Sequence, residues 1–177
     1  YLTNSTVLGK LFYSIQKTAL QIERQTYIID FIYERIEACS MRIRVTSDST
    51  CDLSRQYLQD HQVELLPLYT MMGGKTYRDG VDIKPAEIFE HVAQGGDLCS
   101  TAANNVDDHY WFYATVLEDC DSLIHFDSSA EFSACSQNAC KAATEFPDRV
   151  YVLDSRNLST GHGHIVCEAF KIAEAGE

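Results

Sequence analysis

Arg42-Ile43-Arg44-Val45-Thr46-Ser47-Asp48-Ser49-Thr50 is the stretch on which the reading of this chain turns. Its first five residues read as a strand. The next four carry the hydroxyl and carboxylate side chains that cap helix starts. Residues 53–60 then show helical spacing. A strand, a polar turn and a helix follow one another within twenty residues, and the same order returns twice downstream. Ser122-Leu123-Ile124-His125-Phe126 is a strand, Ser128-Ser129-Ala130-Glu131 a turn, and 132–145 a helix. Arg149-Val150-Tyr151-Val152-Leu153 is a strand, Asp154-Ser155-Arg156 a turn, and Gly161 and Gly163 precede a helix over 165–175. Such alternation predicts right-handed crossovers and an α/β fold: a mainly parallel sheet with helices on both faces. The β-to-α loops then emerge at the carboxyl ends of the strands, the edge where ligands bind in open α/β sheets.

Between the first two repeats, residues 63–72 form a second strand region, which Pro67 confines to an edge or a start. Gly73-Gly74 turns as a hairpin into Lys75-Thr76-Tyr77. Lys84-Pro85-Ala86-Glu87 opens a helix, with proline near its first turn, that ends at Gly95-Gly96. Residues 98–105 read as a loop and 107–118 as an aromatic helix through Tyr110, Trp111 and Tyr113. Residues 1–40 are different in kind. Leu8, Leu11, Ile15, Ala19, Ile22, Ile29, Ile32 and Ile36 recur at helical spacing, so the expected organisation is a helical extension over 1–40, of unknown role, and a domain over 41–177.

The charge balance narrows the partners. Twenty-six acidic against fourteen basic residues leave a formal net charge of −12. Such a surface repels phosphate backbones, so nucleic acid is not an expected partner. No apolar run approaches the roughly 20 residues that cross a bilayer, and no secretory leader opens the sequence, so no membrane span is expected. The seven cysteines are scattered, with no C-x-x-C pair. They read as free thiols of a cytoplasmic protein rather than as a zinc site or a disulfide framework.

The loops at the expected ligand edge share one chemistry. Thr46 to Thr50, Ser100-Thr101 and Ser128-Ser129 are rich in hydroxyls, and Asp154-Ser155-Arg156 joins them. Hydroxyls both donate and accept hydrogen bonds. Gathered near helix N-termini, they suit an oxyanion such as a carboxylate or a phosphate. For any single loop, the plain reading of Ser, Thr or Asp before a helix is a cap.

Several of these segments also carry a resemblance. Val45-Thr46-Ser47-Asp48-Ser49-Thr50-Cys51-Asp52-Leu53 is similar to the opening motif of the DegV family. Leu66-Pro67-Leu68, Lys75-Thr76-Tyr77-Arg78-Asp79-Gly80-Val81-Asp82-Ile83 and Ser100-Thr101-Ala102-Ala103-Asn104-Asn105-Val106 resemble its next three motifs. Ser128-Ser129 with Phe132-Ser133, and Asp154-Ser155-Arg156 with Gly161-His162-Gly163, resemble its last two in this range. The resemblance runs from Met41 to the end of the sequence. It implies the headgroup-binding domain of a two-domain, non-catalytic lipid carrier, the second domain lying outside these residues. The family buries a long-chain fatty acid, its only ligand with no cofactor or metal, and presents it to a fatty acid kinase. By match, Thr101 and Ser129 inherit the carboxyl-binding role, with Ser100 and Ser128 beside them. Ala102 departs from the family's serine. The second serine pair can also be aligned on Ser129 and Ala130.

The residues leave a competing reading open. His125, inside a strand, makes a histidine phosphocarrier or sugar-kinase-like subunit the alternative. His162-x-His164 with Cys167, and Cys135 with Cys140, lack a standard metal-ligand spacing. A G-x-S-x-G hydrolase elbow and a dinucleotide fingerprint are both missing.

Overall fold

The computed structural model describes residues 42–175, so the helical extension expected over 1–40 lies outside the described residues. Four strands form a parallel sheet. They are β1 (Ile43–Asp48), β2 (Glu64–Leu66), β6 (Ser122–Asp127) and β7 (Val150–Asp154), in the order β2-β1-β6-β7. The register sets Thr46 opposite His125, and Asp127 opposite Asp154. Three further strands, β3 (Tyr69–Met72), β4 (Lys75–Arg78) and β5 (Ser100–Ala102), form a separate antiparallel sheet with β3 in its centre. The helices are α1 (Arg55–Asp60), α2 (Pro85–Ala93), α3 (Val106–Val116), α4 (Cys135–Ala143) and α5 (Thr160–Ala175).

The parallel sheet is apolar on both faces because helices cover both. On one face Leu123, Val150 and Val152 pack with Tyr113 and Val116 of α3 and with Ala139 and Ala142 of α4. On the other, Val45, Phe126 and Leu153 pack with Val166 of α5 and Leu58 of α1. The strand period of two separates neighbours such as Val152 and Leu153 between the two layers.

The expected α/β architecture is present, with four departures. The strand region 63–72 divides at Pro67 into β2 and β3, which join different sheets. Proline cannot donate to a ladder, so the chain changes sheet where it sits. Ser100–Ala102 is a strand rather than a loop, paired antiparallel to β3. Helix α4 starts at Cys135, three residues later than its spacing suggests. The segment before it closes a turn, with Phe132 and Ser133 donating their backbone N–H groups to the Ser129 carbonyl at 2.9 and 3.2 Å. Helix α5 starts at Thr160 and takes both glycines into its first turn. Gly163 is required there, since a Cβ at this position would stand 2.3 Å from the Cys51 carbonyl oxygen. By contrast, the Gly73-Gly74 turn is as expected, with both φ angles positive at 57° and 75°, as a tight hairpin demands.

Candidate functional site

Three of the four hydroxyl-bearing loops converge at the carboxyl ends of β1, β6 and β7. Asp48 organises them. It is fully buried, and its Oδ1 accepts from the Thr50 backbone N–H at 2.9 Å and the Thr50 hydroxyl at 2.6 Å. Its Oδ2 accepts from the Ser128 backbone N–H at 2.9 Å. The backbone N–H of Ser129 donates to the Asn157 carbonyl at 3.0 Å, and that of Ala130 donates to Asp154 Oδ1 at 3.2 Å. The loops after β1, β6 and β7 are thereby tied to one another.

In the first loop the hydroxyls are largely occupied. His162, from the first turn of α5, lies 3.0 Å from the Ser47 hydroxyl through Nε2 and 3.2 Å from the Thr50 hydroxyl through Nδ1. Burial lowers the His162 pKa below its ordinary value, against the nearby charge of Asp48. The neutral ring thus serves as a polar filler beneath the loop, and here the capping by Asp48 and the bonds of Ser47 and Thr50 to His162 account for the motif.

Ser128 and Ser129 are less committed. Both are almost buried. The Ser129 oxygen accepts from the Glu131 backbone N–H at 3.3 Å, which leaves its own O–H free to donate. Ser100 and Thr101 are exposed and belong to the other sheet, Thr101 opposite Thr70 and Ser100 opposite Met71. The link between the sheets runs through the next residues of that segment. Asn104, buried, donates to the Pro67 carbonyl at 3.0 Å and receives at its own carbonyl the Asn138 side chain of α4 at 2.8 Å. Tyr69 of β3 donates to Asp108 of α3 at 2.9 Å. The structure therefore joins Ser128-Ser129 to the β1 and β7 loops, whereas Ser100-Thr101 is carried on the neighbouring sheet.

Apolar side chains stand exposed next to both hydroxyl pairs. Phe132 and Leu158 follow the β6 and β7 loops, and Leu98 and Met71 flank Ser100, with Phe132 at 73% and Leu98 at 85% exposure. Hydroxyls beside uncovered apolar surface suit an amphiphile with an anionic head.

The other residues singled out from the sequence fall elsewhere. His162 is buried and His164 exposed, so two residues apart on α5 they face different ways and share no ligand. Cys135 is buried and Cys140 exposed. His125 has no exposed surface, which removes it from any phosphoryl donor and weighs against the phosphocarrier alternative. Among the described residues the cysteines are free thiols, and burial pushes those of Cys51, Cys120 and Cys135 up. No helix of the described residues is long and apolar enough to cross a membrane.

Sequence reasoning missed one constellation. His109, His125 and Asp127 meet without solvent exposure between α3 and β6. His125 and Asp127 are two apart on a strand, hence on one face, but the arrival of His109 depends on how α3 packs.

Comparison with known proteins matches residues 42–177 to the family model described as the uncharacterised DegV family. A DegV domain-containing protein of Clostridium perfringens is 32% identical over 136 residues, 76% of this chain and 49% of that protein. A Thermus thermophilus structure, described as fatty acid binding of a DegV family protein, matches with a TM-score of 0.72 and 36% identity over 77% of this chain and 49% of that one. A structure from Eubacterium ventriosum, described as a stearic acid-binding protein, matches with a TM-score of 0.68 and 27% identity over 75% of this chain and 47% of that one. The chain spans about half the length of the curated relatives it matches first.

Proposed function

Since the chain belongs to the DegV family, we propose that its residues 42–175 form a lobe that binds a long-chain fatty acid by its carboxyl group. The observation that carries this reading is the placing of hydroxyls beside exposed apolar side chains, at Ser129 with Phe132 and Leu158, and at Ser100, the neighbour of Thr101, with Met71 and Leu98. Thr101 and Ser129 donate to the carboxylate, and Ser100 and Ser128 stand beside them. A hydroxyl donor to a carboxylate is charge-assisted, worth about 1.5–3 kcal/mol. The acyl chain extends over the apolar surface, which in the longer relatives has a further part of the protein available to cover it.

On this reading the protein is a cytoplasmic carrier. It has no catalytic residue, and presents its ligand to a separate fatty acid kinase. The kinase partner follows from the family resemblance alone. A direct test is to incubate the protein with stearate and with a fatty acid kinase plus ATP. Acyl phosphate formed only with the carrier present supports the reading, and equal turnover of free stearate contradicts it.

A further inference from the structure

We propose that His109, His125 and Asp127 form a binding site for one divalent transition-metal ion, with Zn2+ the best fit, buried between α3 and β6. The three residues have no solvent exposure, and one ligand atom from each lies within 4.8 Å of the others. His125 Nε2 is 3.4 Å and His109 Nε2 is 3.8 Å from Asp127 Oδ1. Both exceed the 2.7–2.9 Å expected of an imidazolium donating to a carboxylate. Both Nε2 atoms and both Asp127 oxygens are buried without a hydrogen-bond partner among the described residues. A buried carboxylate left in that condition costs several kcal/mol.

The remaining ring nitrogens explain why a cation fits better than a proton. His109 Nδ1 is 2.8 Å from the Asn105 carbonyl. A carbonyl only accepts, so Nδ1 carries the hydrogen and the Nε2 of the neutral ring is a lone pair aimed at Asp127. His125 Nδ1 is 2.9 Å from the Thr46 hydroxyl. That hydroxyl has the Ile124 carbonyl within 3.4 Å to donate to, leaving its own lone pair for the Nδ1–H of His125. Two imidazole lone pairs and a carboxylate then face one another, each ring fixed from behind by an oxygen. This is the arrangement in which metal-bound histidines are held. Ligands about 2.0–2.1 Å from a tetrahedral Zn2+ stand about 3.4 Å apart; the His125–Asp127 spacing already matches, and the His109 ring, with all three ligand atoms within 4.8 Å of one another, has to draw in toward that spacing when the ion binds. Tyr113 closes the compartment. It has no exposed surface, its hydroxyl lacks a partner, and its ring centroid is 5.3 Å from that of His125 and 5.9 Å from that of His109.

With its ligands sealed from solvent, the ion is structural. It fixes α3, which follows the Ser100-Thr101 strand, to β6, which leads into Ser128-Ser129. The proposal departs from the sequence reading, which expects no metal. The inference stands independently of fatty-acid binding.

The test uses the full chain. Protein stripped with a strong chelator is titrated with Zn2+ and with Co2+, and followed by metal analysis, the visible absorption of tetrahedral Co2+ and thermal unfolding. We expect about one ion per chain, the tetrahedral Co2+ spectrum, and a rise in Tm of about 5 °C or more with Zn2+ but not with Mg2+. His109→Gln, which preserves most of the side-chain volume, removes both the spectrum and the Tm rise. Stripped wild-type protein that binds neither ion overturns the proposal, whether or not the variant folds. So does a His109→Gln protein that binds as the wild type does.

Discussion

At the scale of single residues, the polar groups under the hydroxyl loops fix how the protein responds to acid. Burial depresses the pKa of His162 from 6.5 and prevails over the nearby charge of Asp48, which pulls it up. The unfolded chain therefore takes a proton on this ring at a higher pH than the folded chain. The contribution of His162 is full above pH 6.5 and is lost as pH falls below that value toward the folded one,. We expect Tm to fall from pH 6.5 toward pH 5, about the span over which the ring titrates when unfolded, and His162→Gln to show a shallower fall. Equal slopes in the two proteins would remove this account. None of it was legible in the sequence, where His162 and His164 stood close together without a metal-ligand spacing and nothing distinguished one from the other. Only the helix phase of α5, set by the glycine contact at Cys51, turns one histidine inward and the other out.

At the scale of elements, two junctions position the loops. The first is the crossing of α5 over the turn after β1, where Gly163 admits no side chain. Because the obstacle is a backbone carbonyl, Gly163→Ala forces the helix away. A cost of about 1–3 kcal/mol is expected, read as a lowered midpoint in urea, and an unchanged midpoint would deny the close approach. The second is the Asn138–Asn104 bond between α4 and the segment after β5. Its loss in Asn138→Ala leaves a carbonyl unpartnered and should cost about 1–3 kcal/mol. It should also weaken stearate binding, because it frees the Thr101 strand from the Ser129 side of the site. Unchanged affinity with lowered stability would show that the bond serves folding alone. Strand–helix alternation made the parallel sheet readable because both faces of β1, β6 and β7 are apolar and their turns polar. The second sheet was not readable. A three-residue strand such as Ser100–Ala102 has too few residues to show a period, and its pairing with β3 is a long-range event that the local sequence does not encode.

At the scale of the whole molecule, the described residues set exposed apolar side chains beside both hydroxyl pairs, Phe132 and Leu158 near Ser129 and Met71 and Leu98 near Ser100. The same sequence feature, Ser or Thr ahead of a helix, serves as a cap at Asp48-Thr50 and as an uncommitted donor at Ser129. Residue type alone could not tell the two apart. What separates them is which loop His162 fills. The chain spans about half the length of the relatives it matches first. The central claim is that Thr101 and Ser129 hold a fatty-acid carboxylate. Native mass spectrometry of the chain with stearate, compared with a Thr101→Val, Ser129→Ala protein that unfolds at the same temperature, tests it most directly. The account predicts a one-to-one adduct in the wild type, weakened about tenfold or more per hydroxyl in the variant. An adduct of equal strength in both proteins, or none in the wild type, would contradict it.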